Sequence, residues 1–278
     1  MSPSLSLALV AGMFLTVAAL ERIPALQFTP SPFLRRYLAT DAAWYLVATA
    51  ANVIAAFVFL PQLSRLAIPG VTDAVRALPW FGQLALAIVV YDCAAFAVHV
   101  CLHRSEALWS VHKVHHSSRH LDWLATTRAH MFENFVRQVA AQVPLFALGM
   151  PAWIVASALI VYAGFALMGH SNLRLGGPFV ETVFITPRLH RLHHVPATSQ
   201  KNLGTILTIW DRLSGRFLAR DTTADQAVGV PGELDEYPQR FLAAFRQPFK
   251  EARLRRVTSN PGATSSRGPA RSSRQSLT

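Results

Sequence analysis

Residues 82–116 read GQLALAIVVYDCAAFAVHVCLHRSEALWSVHKVHH. The part from 82 to 103 is long and apolar enough for one helix across a bilayer, which takes roughly 20 such residues. It ends in His99 and His103, and eight residues later the chain continues HKVHH, with His112, His115 and His116. A membrane span that delivers imidazoles at its exit, followed at once by three more, makes a helical membrane fold and a metal site the first expectations.

Working outward, residues 4–20 (SLSLALVAGMFLTVAAL) form an apolar block with no Lys or Arg before it, so a retained span is expected rather than a cleaved leader. Residues 42–61 form a second block, and a fourth apolar region runs from Arg137 to Met168. The fourth is interrupted by Gly149-Met150-Pro151, which predicts a hairpin of two tilted or half-length helices. The expected fold is therefore all-α integral membrane, with four to five membrane helices and a cytoplasmic helical histidine-rich cap. Composition agrees: 52% of the 278 residues are hydrophobic and only 15% charged, against about a quarter in soluble domains. Beside such spans the net charge of +11 reads as the positive-inside bias, not as a nucleic-acid footprint. Sixteen of the 26 basic residues follow His170, which places 21–41, 104–136 and 170–278 on the cytoplasmic side.

Four segments are expected: N-terminal membrane helices (1–81), a catalytic domain (82–218), a cytoplasmic segment (219–256) and a disordered Ser/Arg/Pro/Gly tail (257–278). Cys93 and Cys101, if helical, stand about 12 Å apart along the axis, too far to pair. They read as core residues.

All eleven histidines lie between His99 and His194, and nine are patterned. They are HxxxH (His99, His103), HxxHH (His112, His115, His116), a second HxxHH (His190, His193, His194) and His170 in GHSN. On a helix, positions i, i+3 and i+4 share a face, so HxxxH offers two rings to one centre and HxxHH a trio that can divide between two. Nine neutral imidazoles exceed the roughly three or four that one zinc takes. Two ions with four or five nitrogens each account for the count, and imidazole alone does not choose among Fe, Zn, Cu and Ni. His120 has no motif partner and reads as a surface or rim residue.

The pattern resembles the fatty acid hydroxylase superfamily, also called the sterol desaturase family, of integral-membrane di-iron oxygenases. The likeness extends to HHSS (His115–Ser118), TTRAHMFE (Thr126–Glu133), HSNLRL (His170–Leu175), TPRLHRLHH (Thr186–His194) and KNLGTILTIWDRLSGRF (Lys201–Phe217). It implies that His99, His103, His112, His115, His116, His170, His190, His193 and His194 hold two Fe ions. It further implies O2 as co-substrate, a lipid or sterol-like substrate and a separate electron donor of ferredoxin or cytochrome type. Zinc can fill such sites on overexpression. Three departures stand out. Arg174 replaces a histidine that some members carry four positions after the one matching His170. Met131 replaces a proline after His130. Gln200-Lys201-Asn202-Leu203-Gly204 lacks the acid and the aromatic of the family's DRNYG box.

Four residues are expected to support the ligands. Asp92 lies inside a span two turns below His99, where a carboxylate is costly and usually functional. Asp211 is expected either to orient a ligand ring through its free N–H or to serve as a helix cap or ion-pair partner. His130 and Glu133 read as support or packing. The reaction expected is hydroxylation of an unactivated C–H bond. Desaturation at the same site, a dizinc membrane hydrolase and a non-catalytic metal- or lipid-binding protein are the alternatives.

Overall fold

The computed structural model describes residues 3–32, 34–220 and 226–259. Among them are eleven α-helices, no strands and two isolated β-bridges, Gln27 with Leu173 and Phe184 with Leu207. The helices are α1 (Pro3–Leu20), α2 (Leu38–Val58), α3 (Leu60–Leu63), α4 (Pro69–Arg76), α5 (Trp80–Arg104) and α6 (Glu106–His116). They continue with α7 (Met131–Ala147), α8 (Ala152–His170), α9 (Pro187–His194), α10 (Ile209–Leu213) and α11 (Phe241–Ser259).

Three are long and apolar enough to cross a membrane, over Leu38–Ala55, Trp80–Arg104 and Ala152–His170, and the shorter apolar helix Ser4–Leu20 joins them. This is an all-α membrane protein. Large apolar side chains such as Leu7, Leu15, Leu46 and Phe57 are exposed on these helices, as a lipid solvent allows. The same logic corrects the reading of the cysteines, for Cys93 and Cys101 are both exposed on α5 and not in the core.

α7 and α8 form the expected hairpin. Gly149 turns the chain at φ +67°, and a Cβ there would stand 2.1 Å from Thr72 Oγ1 on α4, so only glycine fits. α5 packs against both arms, and Tyr91, Leu145, Ile154 and Tyr162 meet in the main core. At the histidine-bearing end, Ser105 caps α6 by accepting from Leu108 N at 3.4 Å. Thr186 caps α9 in the same way through Leu189 N, with Pro187 in the first turn. α11 covers α6 and α2 through Trp44, Phe241 and Phe245. It runs to Ser259, into the start of the expected tail; residues 260–278 lie outside the described residues.

Candidate metal centre

Four helices converge on the site. The end of α5 brings His99 and His103, α6 brings His112, His115 and His116, the last residue of α8 is His170, and α9 brings His190, His193 and His194. They form two groups, His99–His103–His112–His116–His193 and His115–His170–His190–His194. Within each group the ligand atoms all lie within 4.8 Å of one another. Each HxxHH trio splits: α6 gives His112 and His116 to the first group and His115 to the second. α9 gives His190 and His194 to the second and His193 to the first.

The protons on these rings are fixed by their partners. His99 Nδ1 lies 2.7 Å from Leu203 O, His115 Nδ1 3.2 Å from Arg128 O, His170 Nδ1 2.7 Å from Ala166 O and His193 Nδ1 3.0 Å from Lys201 O. A carbonyl only accepts, so each of these Nδ1 atoms donates its hydrogen. His112 Nδ1 donates likewise to Glu133 Oε1 at 2.9 Å. In a neutral ring the Nε2 is then a bare lone pair. Yet His99 Nε2 and His112 Nε2 stand 3.1 Å apart, and His170 Nε2 and His115 Nε2 3.0 Å apart. His103 Nε2 is 3.1 Å from His112 Nε2, and His190 Nε2 is 3.0 Å from His170 Nε2 and 3.2 Å from His194 Nε2. The facing lone pairs of His99 and His112, and of His115 and His170, repel unless a cation lies between them. Two nitrogens each about 2.1 Å from one ion, about 90° apart, would be separated by about 3.0 Å. His193 Nε2 and both nitrogens of His116 are buried without a hydrogen-bond partner. The residues fit two metal ions.

Burial lowers the basicity of the cap histidines. It drives His115, His116, His190 and His194 well below the ordinary imidazole range, with neighbouring rings adding to the effect, and takes His193 down to about 3. They are neutral at pH 7, the form that binds metal.

The supporting residues divide. Glu133 is fully buried and meets His112 directly. His130 caps α7 by accepting from Phe132 N at 3.3 Å, and its Nε2 donates to Phe245 O at 3.2 Å. It fastens α11 rather than a ligand ring. Asp92 does not face a histidine. It accepts from Ile206 N (3.0 Å), Leu207 N (3.0 Å) and Trp210 Nε1 (2.8 Å), and so ties the loop before α10 to α5. Asp211 accepts from Leu203 N and Gly204 N, both at 2.8 Å. It thus reaches His99 through the Leu203 carbonyl and not through the ring; burial raises it to about 6. A Cβ on Gly204 would lie 2.8 Å from Leu207 O and 2.9 Å from Asp211 Oδ2, which explains the glycine of KNLG. Arg174 is exposed, leaving four imidazoles in the second group against five in the first. His120 is exposed as expected.

Sequence reasoning missed the ionic girder beneath the site. Arg35 bridges Asp41 at 2.7 Å and Asp122 at 2.8 Å, and Asp41 meets Arg128 at 3.3 Å. All four are buried, and the carbonyl of Arg128 is the one that holds His115. Two cavities adjoin the rings. A space of about 20 Å³ touches His99, His115, His170 and His190, and a cleft of about 570 Å³ leads from it between α1, α2, α7 and α8. Arg137, Ala166 and His170 line both.

Residues 84–216 match the family model for fatty acid hydroxylases. The chain is 32% identical over 173 residues to ornithine lipid hydroxylase OlsE of Rhizobium tropici, covering 62% of this chain and 51% of that protein. It is 31% identical over 148 residues to alkylglycerol monooxygenase of Danio rerio, covering 50% of this chain and 32% of that one. The chain thus spans about half of the length of one relative and about a third of the other. No solved structure matches it. The histidine pattern, the helical membrane fold and these matches agree on one segment: residues 84–216 match the fatty acid hydroxylase family.

Proposed function

We propose that the protein is a membrane-bound di-iron oxygenase that hydroxylates a C–H bond of a lipid or sterol-like substrate. The observation that carries this reading is the pair of histidine groups, in which the bare Nε2 atoms of His99 and His112 face each other at 3.1 Å and those of His115 and His170 at 3.0 Å. Two irons held there would supply the oxidation of an unactivated C–H bond. One atom of O2 enters the substrate as an alcohol, and the other leaves as water, with two electrons from a separate donor of ferredoxin or cytochrome type and two protons from solvent. Both relatives are named for lipid oxygenation, one a hydroxylase and one a monooxygenase, which favours alcohol over alkene as the product.

The chain's own part is geometry and exclusion of water. Carbonyls of Leu203, Arg128, Ala166 and Lys201 and the carboxylate of Glu133 fix the rings. Phe165, Ala166 and Gly169 wall the small space beside them. The cleft admits an alkyl chain from the membrane, its volume being in the range of about 300–1,000 Å³ usual for ligand sites. The loop charges favour the cytoplasmic side for this cap.

Protein made in iron-replete medium should hold two metal ions per chain, and His193→Ala should lose at least one of them and all activity. Host cells given 18O2 should accumulate a lipid alcohol carrying the label. An unlabelled alkene would make the enzyme a desaturase, and at most one ion per chain would refute the two-metal site.

A further inference from the structure

The membrane cleft is not uniformly apolar, and Arg137, the one Lys or Arg among the described residues of its lining, stands at the end beside the histidines. α1 and α8 run in the same direction, since Met13 packs on Gly164 and Val17 shares a cluster with Leu167. Ser6, Leu7 and Val10 therefore line the end remote from the histidines, while Thr126, Thr127 and His170 line the near end. Arg137 stands where the cleft meets the 20 Å³ space. Its guanidinium pairs with Glu133 Oε1 and reaches Tyr162 Oη, both at 3.4 Å and long for N–H···O bonds, and its side chain stays 31% exposed. Tyr162 Oη is itself engaged with Thr205 Oγ1 at 3.0 Å. Three residues before Arg137, on the same face of α7, Asn134 also lines the cleft, and its Nδ2 is buried without a partner. A buried donor without a partner, as at Asn134, is costly. A charged residue facing the interior of a membrane helix bundle is by default a functional-site candidate.

We infer that Arg137, with Asn134 beside it, receives an acyl oxygen of the lipid substrate, a carbonyl or carboxylate, at the inner end of the cleft. The carbon presented to the histidines then lies within a few bonds of that oxygen, and the hydrocarbon tail runs outward past Val10 and Leu7. This rests on the lipid-hydroxylase reading and adds the position of attack. Arg137 acts as a positioning residue.

The test uses the full chain in host membranes under 18O2, with tandem mass spectrometry locating the labelled oxygen. Label on a carbon within a few bonds of an acyl carbonyl or carboxylate supports the assignment; label in mid-chain or at the terminal methyl overturns it. Product mass before and after alkaline hydrolysis separates a free carboxylate from an ester. Absence of any labelled lipid would instead sink the hydroxylase reading, and this assignment with it. Arg137→Gln should lower product by roughly ten- to a hundredfold, the cost of one charge-assisted hydrogen bond, while still binding two ions. Arg137→Lys should restore part of the product. Product from Arg137→Gln within twofold of the parent would overturn the assignment. Mapping of the label in the unaltered protein decides the matter even if the variant does not fold.

Discussion

The Nδ1–H of His112 ends on a carboxylate, whereas His99, His115, His170 and His193 end on backbone carbonyls. A carboxylate offsets part of the positive charge an ion brings and makes the ring a stronger donor. Glu133→Gln should keep the fold yet weaken metal binding by about 10- to 100-fold, read by competition with a chelator; unchanged affinity would leave Glu133 a packing residue. Acid should act on the same rings. In metal-free protein His115, His116, His190, His193 and His194 are held neutral by burial, His193 down to about 3. The unfolded chain takes up protons near pH 6.5, so it binds more of them than the folded chain at lower pH. Stability is therefore undiminished above about pH 6.5 and falls below it, by up to about 1.4 kcal/mol per pH unit for each such histidine. The melting midpoint of stripped protein in detergent, followed from pH 8 to 5, should drop over the lower half of that range. The histidine grouping was legible because spacing encodes a shared helix face. The carbonyls that hold the rings were not, since a backbone oxygen has no side-chain signature.

Among the elements, the α7–α8 hairpin depends most on a single residue. Gly149→Ala would combine φ +67° with a Cβ placed 2.1 Å from Thr72 Oγ1, a strain of roughly 1–3 kcal/mol before any clash is counted. The variant should melt markedly lower or fail to accumulate. Gly177→Ala, where a Cβ meets nothing within 4 Å, should be close to neutral in the same assay. The turn itself was plain in Gly149-Met150-Pro151, but the character of α7 was less so. That helix begins at Met131 and carries Glu133, Arg137, Gln138 and Gln142 on a partly buried surface. Hydropathy marks where a segment is apolar; it does not show which polar residues turn inward when a neighbour supplies a cleft. The cysteines of α5 failed for the complementary reason, because in a bilayer an apolar residue has two places to go.

For the molecule as a whole, the sequence placed the histidine groups at one end of the spans, and the structure joins them there through α6 and α9. Asp92 and Asp211 were singled out as supports for ligand rings, yet both accept from backbone amides between Leu203 and Leu207, in a loop whose path no local pattern predicts. The interleaving of the two HxxHH trios has a thermodynamic consequence. Because α6 and α9 each feed both groups, an ion seated in one aligns the helices that the other requires, so the ordering cost of the second is partly met by the first. Metal uptake by stripped protein should therefore be steep, with a Hill coefficient above 1, and partial titration should yield fully loaded and empty molecules rather than a one-ion population. Native mass spectrometry of the half-titrated protein reads this directly, and a dominant one-ion species would show the two sites to be independent.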